Sequence, residues 1–333
     1  MITRILDIDD NSLSLSGKII SGGGAVAFPT ETVYGLGANA FDNSAVENIF
    51  KIKGRPNDNP LIVHVHSGYD INRLVSYVPQ YANLLAAEFL PGPLTMVYKS
   101  RGNVSAAVSC GLDTLAIRVP SHEGAQKFLR FLDLPVAAPS ANISKHVSPV
   151  TAEHVFNDLN GKVEVILNGG KCTGGIESTV LDCTGEYPVI LRSGLITREM
   201  IEKSVGKCGE YVLKEGEKVR SPGMKYKHYA PTCKTVMYDK NNLTAAVSCY
   251  KSNVEQGVKA YILCDGSTAA LLPAEVKNIL NLGESEREMA FNLYDKLREG
   301  ESKADLIIAV TPSKNDGIMK GVLNRLTKAC NSL

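Results

Sequence analysis

Residues 28–66, FPTETVYGLGANAFDNSAVENIFKIKGRPNDNPLIVHVH, decide how the rest of the chain is read. Val26 to Phe28 end an apolar run. Pro29 stops it, having no backbone donor and a fixed φ. Thr30, Glu31, Thr32 and Tyr34 then crowd polar groups against Gly35 and Gly37, which predicts a tight turn. From Asn43 to Lys53 the apolar residues Val46, Ile49, Phe50 and Ile52 fall at helical spacing. Lys51, Lys53 and Arg55 follow, then a loop bracketed by Pro56 and Pro60, then the β-branched strand Leu61 to His66. Two readings fit the cations: a phosphate site, where amides and fixed positive charge converge, or a solvated helix end, which also favours basic residues.

Outward from this stretch, strands and helices alternate irregularly. Strands are predicted at Leu94–Tyr98, Thr114–Val119, Pro135–Ala138, Val163–Leu167, Ser178–Asp182 and Val189–Arg192. Helices are predicted at Asp70–Tyr77, Tyr81–Phe89, Gly124–Leu132, Thr151–Leu159 and Ile196–Val205, with residues 1–17 as a strand and a polar turn and Val104–Gly111 as loop. Several strands follow one another directly, which points to a mixed α/β sheet and not to a regular βαβ wind. The stretch 207–231 is charged and without hydrophobic period, marking a boundary. Beyond it, strands at Lys234–Tyr238, Lys259–Cys264 and Leu306–Val310 alternate with helices, the pattern of a smaller parallel, Rossmann-like sheet. No G-x-G-x-x-G occurs there, so no dinucleotide is expected.

At 333 residues, 44% hydrophobic and 21% charged, the composition is that of a globular protein of about two domains. A formal charge of +1 argues against a whole-surface polyanion binder and leaves room for a local basic patch. The eight cysteines include no C-x-x-C pair, so reduced thiols in a cytoplasmic protein are expected. The start, MITRILDIDD, carries acids and lacks an apolar signal core, and no run approaches a membrane span.

PTETVYGLG, followed by K-x-K-G-R-P-x-D-N-P-L-I-V-H, resembles the YrdC-domain family. PGPLT (91–95), RVP (118–120), APSAN (138–142), GIESTVLD (175–182) and LRSG (191–194) agree in order, and SPGMKYKHYAP (221–231) resembles the linker of the longer, two-domain members. The resemblance implies a YrdC-like catalytic domain at 1–206 with a twisted, open mixed sheet and a basic concave face, a linker or lid at 207–231, and the Rossmann-like domain at 232–333. It implies L-threonylcarbamoyladenylate synthesis from L-threonine, bicarbonate and ATP, serving t6A modification of tRNA, with Mg²⁺ arriving on ATP and no dedicated protein metal site. tRNA and a downstream threonylcarbamoyl transferase are the macromolecular partners it points to.

For the phosphates the expected residues are Lys53 and Arg55, a point charge and a planar fork. Asn59, Thr114, Ser140, Asn142, Ser148, Arg192 and Tyr229 are expected on the ATP side. Thr32, His64, Arg118 and Ser178 are expected to hold L-threonine, Arg118 through the carboxylate. No protein nucleophile is required, in keeping with the lack of a Ser-His-Asp or Cys-His pattern. Two residues apart on a strand, His64 and His66 share a face, yet no third metal ligand accompanies them. The basic-aromatic run Lys225–Tyr229 reads as a lid over the site, an RNA-binding arm or a plain tether. The alternative function, of a different class, is a double-stranded RNA- or tRNA-binding module without synthase activity.

Overall fold

The computed structural model describes residues 1–211 and 229–330. These divide into two compact units. The first comprises Met1–Ser144, Pro149–Thr173 and 177–211; the second comprises Lys145–Ser148, Gly174–Ile176 and 229–330. The second unit thus includes two short excursions of chain from between elements of the first.

The first unit is built on one mixed sheet. Its strands are β1 (Arg4–Asp7), β2 (Val26–Phe28), β3 (Gly35–Asn39), β4 (Ile62–His64), β5 (Leu94–Lys99), β6 (Thr114–Arg118), β7 (Val136–Ala138), β8 (Val165–Asn168), β9 (Thr179–Asp182), β10 (Val189–Arg192) and β11 (Gly209–Glu210). They lie in the order β1-β8-β2-β3-β7-β4-β6-β5-β9-β10-β11. β4 and β6 run parallel, as do β5 and β9, while β5–β6, β4–β7 and β3–β7 are antiparallel. The mixed open sheet expected from the spacing of elements is therefore present.

On one face, helices Asp10–Ser21 and Glu123–Leu132 bury Leu13, Ile20, Phe128 and Leu129 against Phe28, Val136, Val165 and Leu167. The helix at Asp10–Ser21 corrects the reading of residues 1–17. Its DNSLSLSG start looks like a turn by composition, but Asp9 and Ser12 form a reciprocal capping box that begins a helix. In the opposite direction, Asp70–Tyr77 contains only a 3-10 turn at Ile71–Arg73, and the expected loop at 104–111 holds a helical turn at Ala106–Ser109.

Gly35 and Gly37 are also corrected: they lie within β3, not in a turn. A Cβ on Gly37 would come within 2.6 Å of Val136 Cγ1 and 2.9 Å of the Phe28 ring. Glycine is needed there for close approach between layers. Helix Asn43–Lys53 falls where its periodicity puts it, capped by the Asp42 side chain and closed by Gly54 at φ +62°.

The second unit has a four-stranded, wholly parallel sheet: β12 (Lys234–Tyr238), β13 (Ala260–Cys264), β14 (Ile279–Asn281) and β15 (Leu306–Val310), in the order β12-β15-β13-β14. Helix Leu243–Glu255 covers it with Ala246 and Tyr250. Helix Glu286–Lys303 starts from a Ser285–Glu288 capping box. The short strand β14 is absent from the sequence reading; three residues are too few to show a period. Among the described residues no helix is long and apolar enough to cross a membrane.

Candidate active site

Register alone places most of the candidate residues. His64 on β4 pairs with Arg118 on β6, Arg118 pairs with Thr95 on β5, Thr95 with Val180 on β9, and Val180 with Arg192 on β10. Directly opposed residues point to the same face of a sheet. One transverse row therefore carries His64, Arg118, Thr95 and Arg192, and Ser178 lies two residues before Val180 on the same side.

Side-chain contacts tighten this row. Arg118 Nη2 donates to Glu31 Oε1 at 2.8 Å, to Thr32 Oγ1 at 2.7 Å and to Thr30 Oγ1 at 3.4 Å. Glu31 Oε2 also accepts from the Ser121 amide at 3.1 Å. Arg118 and Glu31 form a buried ion pair, with side-chain exposures of 4% and 8%. Among the described residues the buried Arg118 Nε has no partner, leaving one donor for an anionic group. Ser178 Oγ lies 2.8 Å from Thr95 Oγ1 and accepts from Arg192 Nη2 at 3.2 Å.

His64 is buried, with Nδ1 3.2 Å from the Ile62 carbonyl oxygen and its ring edge-on to Phe28. Burial, and then the neighbouring Arg118 charge, holds its imidazole down at about 3. His64 is thus neutral at any physiological pH and contributes hydrogen bonding without a second positive charge. An unfolded chain takes up this proton near pH 6.5, so between pH 6.5 and about 3 the unfolded state binds more protons. Stability is expected to fall through that window with a slope of up to about 1.4 kcal/mol per pH unit. Urea unfolding of His64→Asn should show a shallower acid limb; an unchanged limb would mean that His64 does not titrate this way.

A second group gathers at the opposite end of the same strands. β7 runs antiparallel to β4, so Ser140 and Asn142, just past β7, stand at the Ile62 end. Lys53, 3% exposed, donates through Nζ to the carbonyl oxygens of Ser140 and Asn142, both at 2.5 Å, and to Asn142 Oδ1 at 3.3 Å. Ser140 Oγ donates to the same Oδ1 at 2.6 Å. The Lys53 ammonium thus ties down the S-x-N turn and brings a buried positive charge to it. Arg55 donates through Nη2 to the Asn59 carbonyl at 2.8 Å and lies 5.7 Å from the Phe50 ring centroid.

Thr114 opens β6 on the same face as Arg118, four residues and so about 13 Å away. Between the two groups that face carries Ile62, Ala116 and Val97, part of an apolar cluster with Val180 and Leu191.

Asn59 is fully buried, and among the described residues neither end of its side-chain amide has a hydrogen-bond partner. A native protein rarely leaves both amide atoms unmet unless a ligand meets them. Asn59→Leu is accordingly expected to stabilise the free protein by about 1 kcal/mol while reducing the thermal shift produced by ATP. Differential scanning calorimetry with and without ATP checks both; a destabilised variant with normal ATP response would refute the assignment.

Of the remaining expected residues, Ser148 and Tyr229 belong to the second unit, where Tyr229 stacks on Tyr294 at 5.3 Å. Lys225, Tyr226, Lys227 and His228, the lid stretch, lie outside the described residues. His66 turns to Asp133 at 3.1 Å, away from any role beside His64. Among the described residues no three His, Cys, Asp or Glu side chains are grouped to hold a metal ion. Cys172 sits near Glu31 and Arg118, and burial pushes its thiol up to about 12, so it is no nucleophile. The sequence reading assigned no role to Glu31 or Thr95. Both stand in the quoted motifs, but their partners are 87 and 83 residues away, and nothing local marks them.

A family model described as "Telomere recombination" (Sua5/YciO/YrdC) matches residues 18–194, and one described as "Threonylcarbamoyl-AMP synthase, C-terminal domain" matches 196–331. The chain is 39% identical over 331 residues to the threonylcarbamoyl-AMP synthase of Pyrococcus abyssi, covering 97% of this chain and 95% of that protein. It is 38% identical over 334 residues to the Bacillus subtilis protein of the same name, covering 98% and 95%. The crystal structure of P. abyssi Sua5 complexed with L-threonine matches with a TM-score of 0.88 at 39% identity, over 99% of this chain and 97% of that one. The chain belongs to the Sua5/YciO/YrdC family and has the two-domain composition of the threonylcarbamoyl-AMP synthases within it.

Proposed function

We infer that the protein is an L-threonylcarbamoyladenylate synthase, a nucleotidyltransferase that converts L-threonine, bicarbonate and ATP into threonylcarbamoyl-AMP, pyrophosphate and water. The threonine amine gains a carboxylate from bicarbonate. One oxygen of that carbamate attacks the α-phosphorus of ATP, and pyrophosphate leaves with the bond electrons. The product serves t6A modification of tRNA, passed to a threonylcarbamoyl transferase.

The observation that carries this reading is the placement of two polar groups at opposite ends of β4 and β6, on one sheet, with a short apolar floor between them. Both reactants are anionic, and a site that joins them must supply fixed positive charge and alignment. At one end Arg118 offers its Nε to the amino acid carboxylate while Glu31 holds its Nη2. Thr32, His64 and Ser178 surround it with neutral hydrogen-bonding groups. A site that bonds a substrate hydroxyl discriminates strongly against analogues lacking it. At the other end Lys53, Arg55, Asn59, Thr114, Ser140 and Asn142 take the nucleotide. Arg192 stands at the amino acid end on Ser178, where it can reach the reacting phosphate. Lys53 and Arg55 are the cations this chain itself brings to the phosphates, and Mg²⁺ carried by ATP would supply further positive charge beside them.

The test is ATP consumption with pyrophosphate release in the presence of L-threonine, bicarbonate and Mg²⁺. Release is expected to require both L-threonine and bicarbonate. Equal turnover with L-serine, or with no amino acid, would overturn the assignment.

A further inference from the structure

We propose that Thr95 is a positioning residue that makes the Ser178 hydroxyl a hydrogen-bond donor to the amino acid substrate; this rests on the reading of the site just given. Thr95 is fully buried on β5, directly opposite Arg118. Among the described residues its hydroxyl has one hydrogen-bond neighbour, Ser178 Oγ at 2.8 Å. Ser178 Oγ has a second neighbour, Arg192 Nη2 at 3.2 Å.

The direction of these bonds follows from the chemistry of the groups. A guanidinium only donates, so Ser178 accepts from Arg192. A buried hydroxyl whose proton finds no acceptor carries a desolvation cost. Among the described residues the one acceptor that the Thr95 proton reaches is Ser178 Oγ, so in the occupied site, where the amino acid accepts the Ser178 proton, both hydroxyls are satisfied only if Thr95 donates. Ser178 then has both lone pairs engaged, one by Arg192 and one by Thr95. Its own proton points away from both, and among the described residues nothing accepts it. An oxygen of the bound amino acid, held beside Arg118 in the same row, is the acceptor that completes the set. Thr95 never touches substrate in this arrangement. It acts by fixing which way Ser178 faces, and the shared contact with Arg192 places that donor at the junction with the nucleotide.

The test uses the full-length protein, with L-threonine affinity measured by calorimetry and steady-state constants by pyrophosphate release. Thr95→Val keeps the shape and removes the hydroxyl. It is expected to raise both Kd and KM for L-threonine about tenfold, the loss of about one hydrogen bond, and to leave KM for ATP within about twofold. Thr95→Ser keeps the hydroxyl and should bind L-threonine within about threefold of the parent. In a Ser178→Ala background, Thr95→Val should add nothing further. Unchanged binding by Thr95→Val overturns the proposal. So does a Thr95→Ser variant with affinity as poor as Thr95→Val, which would make the residue a packing element; this second arm remains decisive if the valine variant fails to fold. If the parent protein itself binds no L-threonine, it is the functional reading that falls.

Discussion

Glu31→Ala is expected to cost about 3–5 kcal/mol of unfolding free energy and to abolish L-threonine binding. The substitution leaves the Arg118 guanidinium, 4% exposed, buried without its counter-charge. A surface ion pair of the same length would contribute less than about 1 kcal/mol; the difference is burial. The double variant Glu31→Ala, Arg118→Met separates the two effects. Removing both charges should restore much of the stability, since an apolar pair can replace a buried ion pair at little cost. Binding should stay lost, because the donor for the carboxylate is gone. Urea unfolding and calorimetry on the parent and the two variants check this. A single variant destabilised by less than about 1 kcal/mol, with normal L-threonine affinity, would refute the account of Arg118 as a donor held in place by Glu31.

Lys53→Met is expected to slow pyrophosphate release by at least about 10²-fold, the scale seen when one preorganised donor is removed from a charged transition state. The residue has two jobs in the structure. Its ammonium brings positive charge to the Ser140–Asn142 turn, and it ties the carbonyls of Ser140 and Asn142 at 2.5 Å. Lys53→Arg should not rescue. A planar guanidinium is too broad for a site where two carbonyl oxygens converge on one nitrogen. Single-turnover measurement at saturating ATP distinguishes a chemical defect from weak binding; recovery of full rate by the arginine variant would show that charge alone matters there.

The local parts of this architecture are legible in the sequence. Val46, Ile49, Phe50 and Ile52 mark their helix, Asp42 and Gly54 bound it, and the β-branched run ending at His64 marks β4. What is not legible depends on which strands become neighbours. Gly35 and Gly37 look like turn residues until Phe28 and Val136 are seen to press on them. Glu31 looks like a surface acid until β6 brings Arg118 to it. Motif resemblance grouped Thr32, His64, Arg118 and Ser178, but it could not give the row. That row exists because β6 inserts between β4 and β5, an order no local pattern encodes. Arg192, expected on the ATP side, reaches Ser178 because β10 pairs antiparallel with β9.

The excursions 145–148 and 174–176 also bear on how the chain folds as it is made. Their grouping partners, residues 229–330, leave the ribosome last. Ending the chain before residue 229 would therefore strip both excursions of the residues they group with, so such a truncation is expected to weaken the backbone protection of 145–148 and 174–176.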